Sequence, residues 1–363
     1  MKKKVKRRLA AGGVFLAAAL LLTAAAWASP SAAELYSQYI YKGITETIGR
    51  ISGLFPFSAA ELCLYILTAA FLITLIKEAV KGIRNKRVKE EGIGWLSLWF
   101  FAGALLFFLY VINCGINYCR VSFSEKEGFL VEGYSDEELA DVCLWLTDEI
   151  NERSALVLRD EEGQMKTKGN VGEEAVKAMN RLGEIYPSLK GYYPRPKELV
   201  FSQFLSWQNL TGIYSPFTIE ANYNGDMTDY NIPFTICHEL SHLRGFMQEE
   251  EANFIAFLGC TCSGQTQFQY SGYLSAWIYA MNELNDRDVE QWSKIRPLLS
   301  EEADRDVKAN SAFWQQYEGQ AAKWSGKIND AYLKANGQTD GVESYNRMVE
   351  LVVSCYRMQN GSE

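Results

Sequence analysis

Histidine is nearly absent from this chain, which has only two in 363 residues. Both belong to one short motif, His238-Glu239-Leu240-Ser241-His242. A metal site that takes three or more histidines as ligands is therefore excluded. The spacing is also hard to attribute to chance, since two histidines placed at random would fall four apart roughly once in 200 arrangements.

Cysteine spacing excludes a second class of metal site. None of the eight cysteines forms a CxxC pair, and Cys260-Thr261-Cys262 has the wrong spacing for a zinc ribbon. Only these two cysteines and Cys119 stand where they could pair in a disulfide. Most of the eight are expected to be small, buried apolar side chains.

Basic residues are scarce in the second part of the chain. Up to residue 92 there are 14 Lys/Arg against 6 Asp/Glu, but from residue 93 onward there are 22 against 38. A region this acidic binds nucleic acid poorly, because the phosphates repel it. It is also poorly suited to lie flat on an anionic lipid surface. We therefore expect a peptide or protein partner and no nucleic acid.

Three long apolar runs lie in the first third of the chain. They cover residues 9–28, 59–76 and 93–114. Each is long enough for a membrane-spanning helix, although the first could instead be a signal peptide cut after Ala26-Trp27-Ala28. The loop 77–91 carries six Lys/Arg, and the positive-inside rule keeps such a loop in the cytoplasm. The basic N-terminus is then inside, and everything from residue 115 onward is outside.

The sequence thus predicts two regions. Residues 1–115 form a membrane region with three apolar spans, and residues 116–363 form an extracytoplasmic domain. Amphipathic and capping patterns predict helices in that domain at about 135–150, 172–186, 233–243, 248–258, after 272, 300–335 and 344–356. The predicted fold class is mainly α with a small β-sheet.

The predicted strands lie just before the histidine motif. A β pattern covers residues 198–224, where Pro216 suits an edge strand better than a central one. An edge strand beside the motif can pair with an extended substrate and lay its backbone across a metal ion.

The histidine motif predicts a catalytic zinc site. On a helix, positions i and i+4 share one face, so His238 and His242 can bind a single Zn²⁺ ion. Glu239 is rotated by about a hundred degrees and can reach a water molecule on that ion. Zinc lowers the pKa of such a water, and Glu239 would take its proton and later pass it to the leaving amine. The predicted reaction is hydrolysis of a peptide bond.

A catalytic zinc takes a third protein ligand, and no histidine remains for this position. The metzincin pattern HExxHxxGxxH matches up to Gly245 but places Gln248 at its last histidine, which excludes that class in its usual form. Glu249 is the favoured ligand, and Glu251, on the opposite side of the same predicted helix, is the alternative. Asn253 lies one turn after Glu249 and could orient an imidazole.

The motif and the residues after it resemble a known pattern. The motif, a glycine turn and Glu249-Glu250-Glu251-Ala252-Asn253 are similar to the HExxH plus E-x-x-A-[D/N] pattern of gluzincin-type membrane metallopeptidases. A closer resemblance, to an uncharacterised bacterial family of membrane-anchored HExxH proteins, is carried by the motif and by Tyr214-Ser-Pro-Phe-Thr, Tyr270-Ser-Gly-Tyr273 and Asp340-Gly-Val-Glu-Ser-Tyr345. This resemblance covers about residues 120–356. It implies a zincin-like α+β fold with Glu249 as a zinc ligand, and it implies no substrate.

The sequence therefore predicts a multi-pass protein of the bacterial cell membrane that hydrolyses an extracytoplasmic peptide or protein. The alternative is a catalytically inactive metallopeptidase-fold domain that binds a partner or takes part in signalling. Because no histidine remains to stabilise an oxyanion, Tyr345 and Tyr273 are candidates for that role beside Glu239. Each tyrosine could equally be a half-buried aromatic residue with a hydrogen-bonded hydroxyl.

Overall fold

Helices make up most of the protein, and the described residues contain one small sheet. The computed structural model describes residues 3–360, so residues 1–2 and 361–363 of the two predicted regions lie outside it. In chain order the helices are α1 (Lys3–Ala28), α2 (Pro30–Leu35), α3 (Lys42–Ser52), α4 (Ala59–Arg84), α5 (Val88–Asn113), α6 (Phe123–Glu127), α7 (Asp136–Ser154), α8 (Val171–Ile185), α9 (Gln203–Ser206), α10 (Asn231–Leu243), α11 (Glu249–Thr261), α12 (Thr266–Arg287), α13 (Val289–Ile295), α14 (Glu301–Gln315), α15 (Gln320–Ala335) and α16 (Met348–Asn360). Shorter helical turns cover Tyr36–Tyr41, Gly115–Cys119, Pro187–Leu189, Arg296–Leu298 and Gly341–Arg347, and the strands are β1 (Lys197–Glu198), β2 (Gly212–Ser215) and β3 (Glu220–Tyr223). The predicted class, mainly α with a small sheet, is confirmed.

Three of these helices, α1, α4 and α5, are long and apolar enough to cross a membrane. Each has 26 residues, and at 1.5 Å per residue each is longer than a hydrocarbon core of about 30 Å. α5 packs against the other two. The Phe15 ring of α1 lies 5.4 Å from Phe108, and the Phe71 ring of α4 lies 4.9 Å from Trp99. The three predicted apolar runs are thus present as helices.

The segment between α1 and α4, residues 29–58, packs onto the rest of the protein. We call it the clasp. Glu34 of α2 accepts hydrogen bonds from Arg120 at 2.9 and 3.0 Å and from Lys126 at 2.6 Å. Burial opposes ionisation of Glu34, but the hydrogen bonds and charge of Arg120 lower its pKa to about 2. The clasp therefore contacts the region beyond α5, and the predicted division between the two regions stays a prediction.

The sheet has the strand order β1-β3-β2, with β1 parallel and β2 antiparallel to β3. β2 is an edge strand, and Pro216 follows it directly. The structure has less strand than the β pattern predicts. Val200 and Phe201 donate their backbone N–H groups to the Glu61 carboxylate, both at 2.9 Å. Because these groups bond to a side chain and not to a neighbouring strand, this stretch forms a turn followed by α9.

The core is centred on α10 and α11, which pack against each other, against α8 and against α12. Every residue of α10 from Ile232 to Leu243 is buried. Phe254 of α11 is fully buried, with its ring 4.8 Å from Phe129. Gly245 ends α10 at a φ of 86°, a conformation that glycine adopts without strain. Five of the eight cysteines are buried and, within residues 3–360, none is in a disulfide.

Helices α14 and α15 lie at the surface and are separated by residues 316–319, where a single charged helical stretch was predicted. α15 has one buried residue, Leu333. Its Trp324 and Ile328 side chains are 64% and 66% exposed. α15 packs mainly on the turn Gly341–Arg347, and its Tyr332 hydroxyl lies 3.2 Å from that of Tyr110 in α5.

Candidate metal centre

Helix α10 places both histidines of the motif on one face, one turn apart. Their Nε2 atoms are 3.1 Å from each other, and the two rings are nearly perpendicular at 87°. His238 and His242 are both largely buried. Two imidazole nitrogens therefore converge on one point, as the spacing predicted.

Each histidine is oriented by an oxygen acceptor on its other ring nitrogen. His238 Nδ1 lies 2.8 Å from Asn253 Oδ1, and His242 Nδ1 lies 2.8 Å from the carbonyl oxygen of Phe246. An oxygen acceptor places the ring proton on Nδ1, which leaves the Nε2 lone pair free to bind a metal ion. The predicted orienting role of Asn253 thus has a matching contact in the structure.

Glu249, in the first turn of α11, brings a carboxylate to the same point. Its Oε2 atom lies 3.2 Å from His238 Nε2 and 3.7 Å from His242 Nε2. The three ligand atoms lie within 4.8 Å of one another. Oε2 is buried and has no hydrogen-bond partner. A buried carboxylate oxygen that faces two imidazole nitrogens is placed to share a cation with them.

The charges of this cluster are strongly coupled. Burial alone would raise the pKa of Glu249, but the two imidazoles hold the pKa of this carboxyl well below its usual range. Burial opposes the charged form of His242, and the neighbouring Glu249 carboxylate outweighs it and raises the pKa of His242 to about 9. Without a metal ion the cluster therefore holds a proton between the imidazoles and the carboxylate. A divalent cation would take the place of that proton.

The other two glutamates of the acidic cluster face elsewhere. Glu251 accepts hydrogen bonds from the backbone N–H of Ser124, at 3.0 Å, and from its hydroxyl. Glu250 accepts a hydrogen bond from Gln338 at 2.6 Å. The structure therefore brings Glu249 to the histidines, and it uses Glu251 to fix the start of α6.

Glu239, the predicted base, is buried beside strand β2. A Cβ added to Gly212 would lie 2.5 Å from Glu239 Oε1, so any other residue here would push the carboxylate away from the backbone of β2. Burial raises the pKa of Glu239 to about 7, although both histidines oppose the shift. A carboxyl group with a pKa near neutrality can both accept and return a proton.

A cleft runs through this centre in two arms. The first arm has a volume of about 470 Å³ and the second about 260 Å³. Both arms are lined by His238, Glu239, Leu210, Gly212, Asn329 and Tyr345. β2 and α10 form one wall of the cleft, and α15 forms the facing wall.

The two candidate tyrosines occupy different places. Tyr345, in the turn Gly341–Arg347, lines both arms of the cleft. Tyr273 does not line either arm. Its ring lies 5.9 Å from Trp145 and 4.7 Å from the Arg153 guanidinium, on the side of α12 that packs against α7. The structure thus brings Tyr345 to the site and leaves Tyr273 outside it.

Tyr279 is a cleft residue that the sequence did not single out. It lines the first arm, and the Asn253 amide lies 3.5 Å from its hydroxyl. Burial raises its pKa to about 12, so it is a hydrogen-bond donor at neutral pH. No spacing in the sequence connects α12 to the motif, and only the packing of α12 against α10 and α11 brings Tyr279 into place.

The fold and the apolar helices define a mainly helical protein with a small sheet and three helices suited to a membrane. The chain matches one protein family, described as "Protein of unknown function (DUF3810)", over residues 36–353. The match spans most of the chain, and the protein belongs to this family. It begins inside the clasp, so residues 36–58 of the clasp fall within the match. No curated protein and no solved structure matches the chain.

Proposed function

We propose that the protein is a membrane-anchored zinc metallopeptidase of the gluzincin type, with a zincin-like domain that hydrolyses peptide bonds outside the cytoplasm. The observation that carries the proposal is the convergence of His238, His242 and Glu249 on one point, with Glu239 beside them. The cleft, the edge strand and the three apolar helices are compatible with a peptide substrate and a membrane location.

The donor set fits zinc. Two imidazole nitrogens and one carboxylate oxygen are a usual ligand set for catalytic zinc, and three protein ligands leave one position open. The unpartnered Glu249 Oε2 atom is the oxygen that such an ion would need. A bound Zn²⁺ ion would act as a Lewis acid that polarises a carbonyl group and makes a water molecule more acidic.

The side chains of the cleft supply the remaining roles. Glu239 takes a proton from the attacking water and returns it to the leaving amine. The hydroxyl groups of Tyr345 and Tyr279 can donate a hydrogen bond to the oxygen that becomes negatively charged in the transition state. The free edge of β2 pairs with the substrate backbone and holds it in an extended conformation.

A catalytically inactive domain that binds a partner is the alternative, and the geometry favours it less. Glu239 is buried without being needed by a fold-stabilising ion pair, and burying such a carboxyl group costs free energy. A purely structural zinc site would likewise leave Glu239 without a role.

The first experiment compares Glu239→Gln with the parent protein. We expect the variant to keep zinc and its fold and to hydrolyse a panel of denatured proteins about 10² to 10⁴ times more slowly, because the general base is lost. Glu250→Gln is the matched control, since Glu250 lies beside the ligand but faces Gln338. Equal activity of Glu239→Gln and the parent on any hydrolysed protein would show the mechanism to be wrong.

The proposed location is tested by reporter fusions. We expect fusions after Lys89 and after Gly133 to report opposite sides of the membrane, because the six basic residues of the loop 77–91 hold that loop in the cytoplasm. The same signal from both fusions would remove the extracytoplasmic site from the proposal.

A further inference from the structure

Both walls of the cleft are tied to the last turn of α5. Asn113, the final residue of α5, donates a hydrogen bond at 2.8 Å to the carbonyl oxygen of Pro216, directly after β2. Tyr110, one turn earlier, donates at 2.7 Å to Asn336, which follows α15. The Tyr110 and Tyr332 hydroxyls are 3.2 Å apart. The cleft therefore begins where the most apolar part of α5 ends.

The second arm of the cleft extends to this same place. Cys114, the first residue after α5, and Tyr118, in the turn that follows, line it together with Ile213 and Tyr332. Cys114 Sγ lies 3.7 Å from Met247 Sδ, so the arm has an apolar floor. Its ionisable acidic and imidazole groups are those of the candidate metal centre. A chain that entered here would pass β2 and then reach Glu239.

An exposed apolar surface lies beside the start of α4. We call it the aromatic turn, and it consists of Val200, Phe201, Phe204 and Trp207, whose side chains are 85%, 42%, 46% and 47% exposed. The bonds from this turn to Glu61 place it against the first turn of α4. From Trp207 the chain continues directly into residues 208–212, which line the cleft. Exposed aromatic residues beside an apolar helix are typical of the membrane interface.

We propose that the substrate is the juxtamembrane segment of a protein anchored in the same membrane, and that the aromatic turn lies in the headgroup layer beside it. This inference rests on the proposed peptidase function. A substrate chain leaving the hydrocarbon core next to α5 would reach the α5 end of the second arm and pair with β2. At about 3.3 Å per residue, the four residues of β2 place the scissile bond roughly four to eight residues from the membrane.

The test uses the full chain, loaded with zinc, in phosphatidylcholine vesicles. The probe is a fluorescent protein joined to a single transmembrane helix by a linker of about 40 residues of randomised sequence, and mass spectrometry maps the cleavage positions. We expect the cuts to fall within about ten residues of the membrane. Cuts spread evenly along the linker would overturn the inference.

A variant separates the membrane surface from the chemistry. Replacing Phe204 and Trp207 together by Asp should slow cleavage of the anchored probe by roughly tenfold, because the apolar contact with the interface is lost. Hydrolysis of the soluble denatured panel should not change. Leu156→Asp is the control, since Leu156 is 71% exposed and lines neither arm of the cleft. An equal loss on both kinds of substrate would show that the turn only supports the fold.

The two proposals can fail separately. If the denatured panel is hydrolysed by the parent and not by Glu239→Gln, the peptidase function stands whatever the linker shows. If neither the panel nor the linker is hydrolysed, the proposed function is wrong and this inference fails with it.

Discussion

The two walls of the cleft are held very differently. On one side, α10 is buried from Ile232 to Leu243, and α11 packs across it with Phe254 in the core. On the other side, α15 buries only Leu333 and leaves Trp324 and Ile328 exposed. Residues that must hold an ion at fixed distances benefit from a rigid frame, whereas a wall that admits a substrate benefits from freedom to move. The candidate metal ligands and Glu239 all lie on the closely packed side of the cleft.

This difference should appear directly in stability. Phe254→Ala should lower the free energy of unfolding by about 3 to 5 kcal/mol, because a large side chain is removed from a closely packed core. Ile328→Ala on α15 should change it by less than about 0.5 kcal/mol, since that side chain is mostly in solvent. Chemical denaturation of the full chain in a mild detergent measures both. Similar losses for the two variants would contradict the contrast between the walls.

A smaller effect is expected from the residue that orients His238. Asn253→Ala should weaken zinc binding by about 10 to 100 times, because the imidazole loses the acceptor that fixes its ring. Asn253→Asp keeps an acceptor oxygen in the same place and serves as the control. Competition with a chromogenic chelator gives both affinities. If Asn253→Ala binds zinc as tightly as Asn253→Asp, then the 2.8 Å contact does not orient the ligand.

The arrangement of α10 and α11 was largely predictable from the sequence, because their site residues are close along the chain. The fixed rotation per residue on a helix brings His238 and His242 together, and the glycine turn at Gly245 lets the next helix return with Glu249 in its first turn. The choice between Glu249 and Glu251 was not settled in this way. It depends on Ser124, more than a hundred positions earlier, which holds Glu251 away from the histidines.

The α15 wall and the clasp were not predictable in the same way. Tyr273 and Tyr279 share α12, but six residues rotate a helix by about 240°, so the two side chains are about 120° apart and lie on different faces. When a helix is packed on several faces, periodicity does not show which face meets the site. The helical character of α15 was expected from its charge pattern, but its position opposite β2 comes from long-range contacts such as Tyr110 with Asn336. The clasp depends on ion pairs between distant residues, which spacing alone does not reveal.

The central claim is that α10 and α11 together hold one metal ion through His238, His242 and Glu249. The most direct measurement is the zinc affinity of the matched pair Glu249→Gln and Glu251→Gln in the full chain. We predict that Glu249→Gln lowers the zinc affinity at least about 100-fold. Removing a ligand should weaken zinc binding more than removing Asn253, which only orients one. Glu251→Gln should keep the parent affinity, because that side chain bonds to Ser124. Tight binding by Glu249→Gln and release of zinc by Glu251→Gln would contradict the assignment.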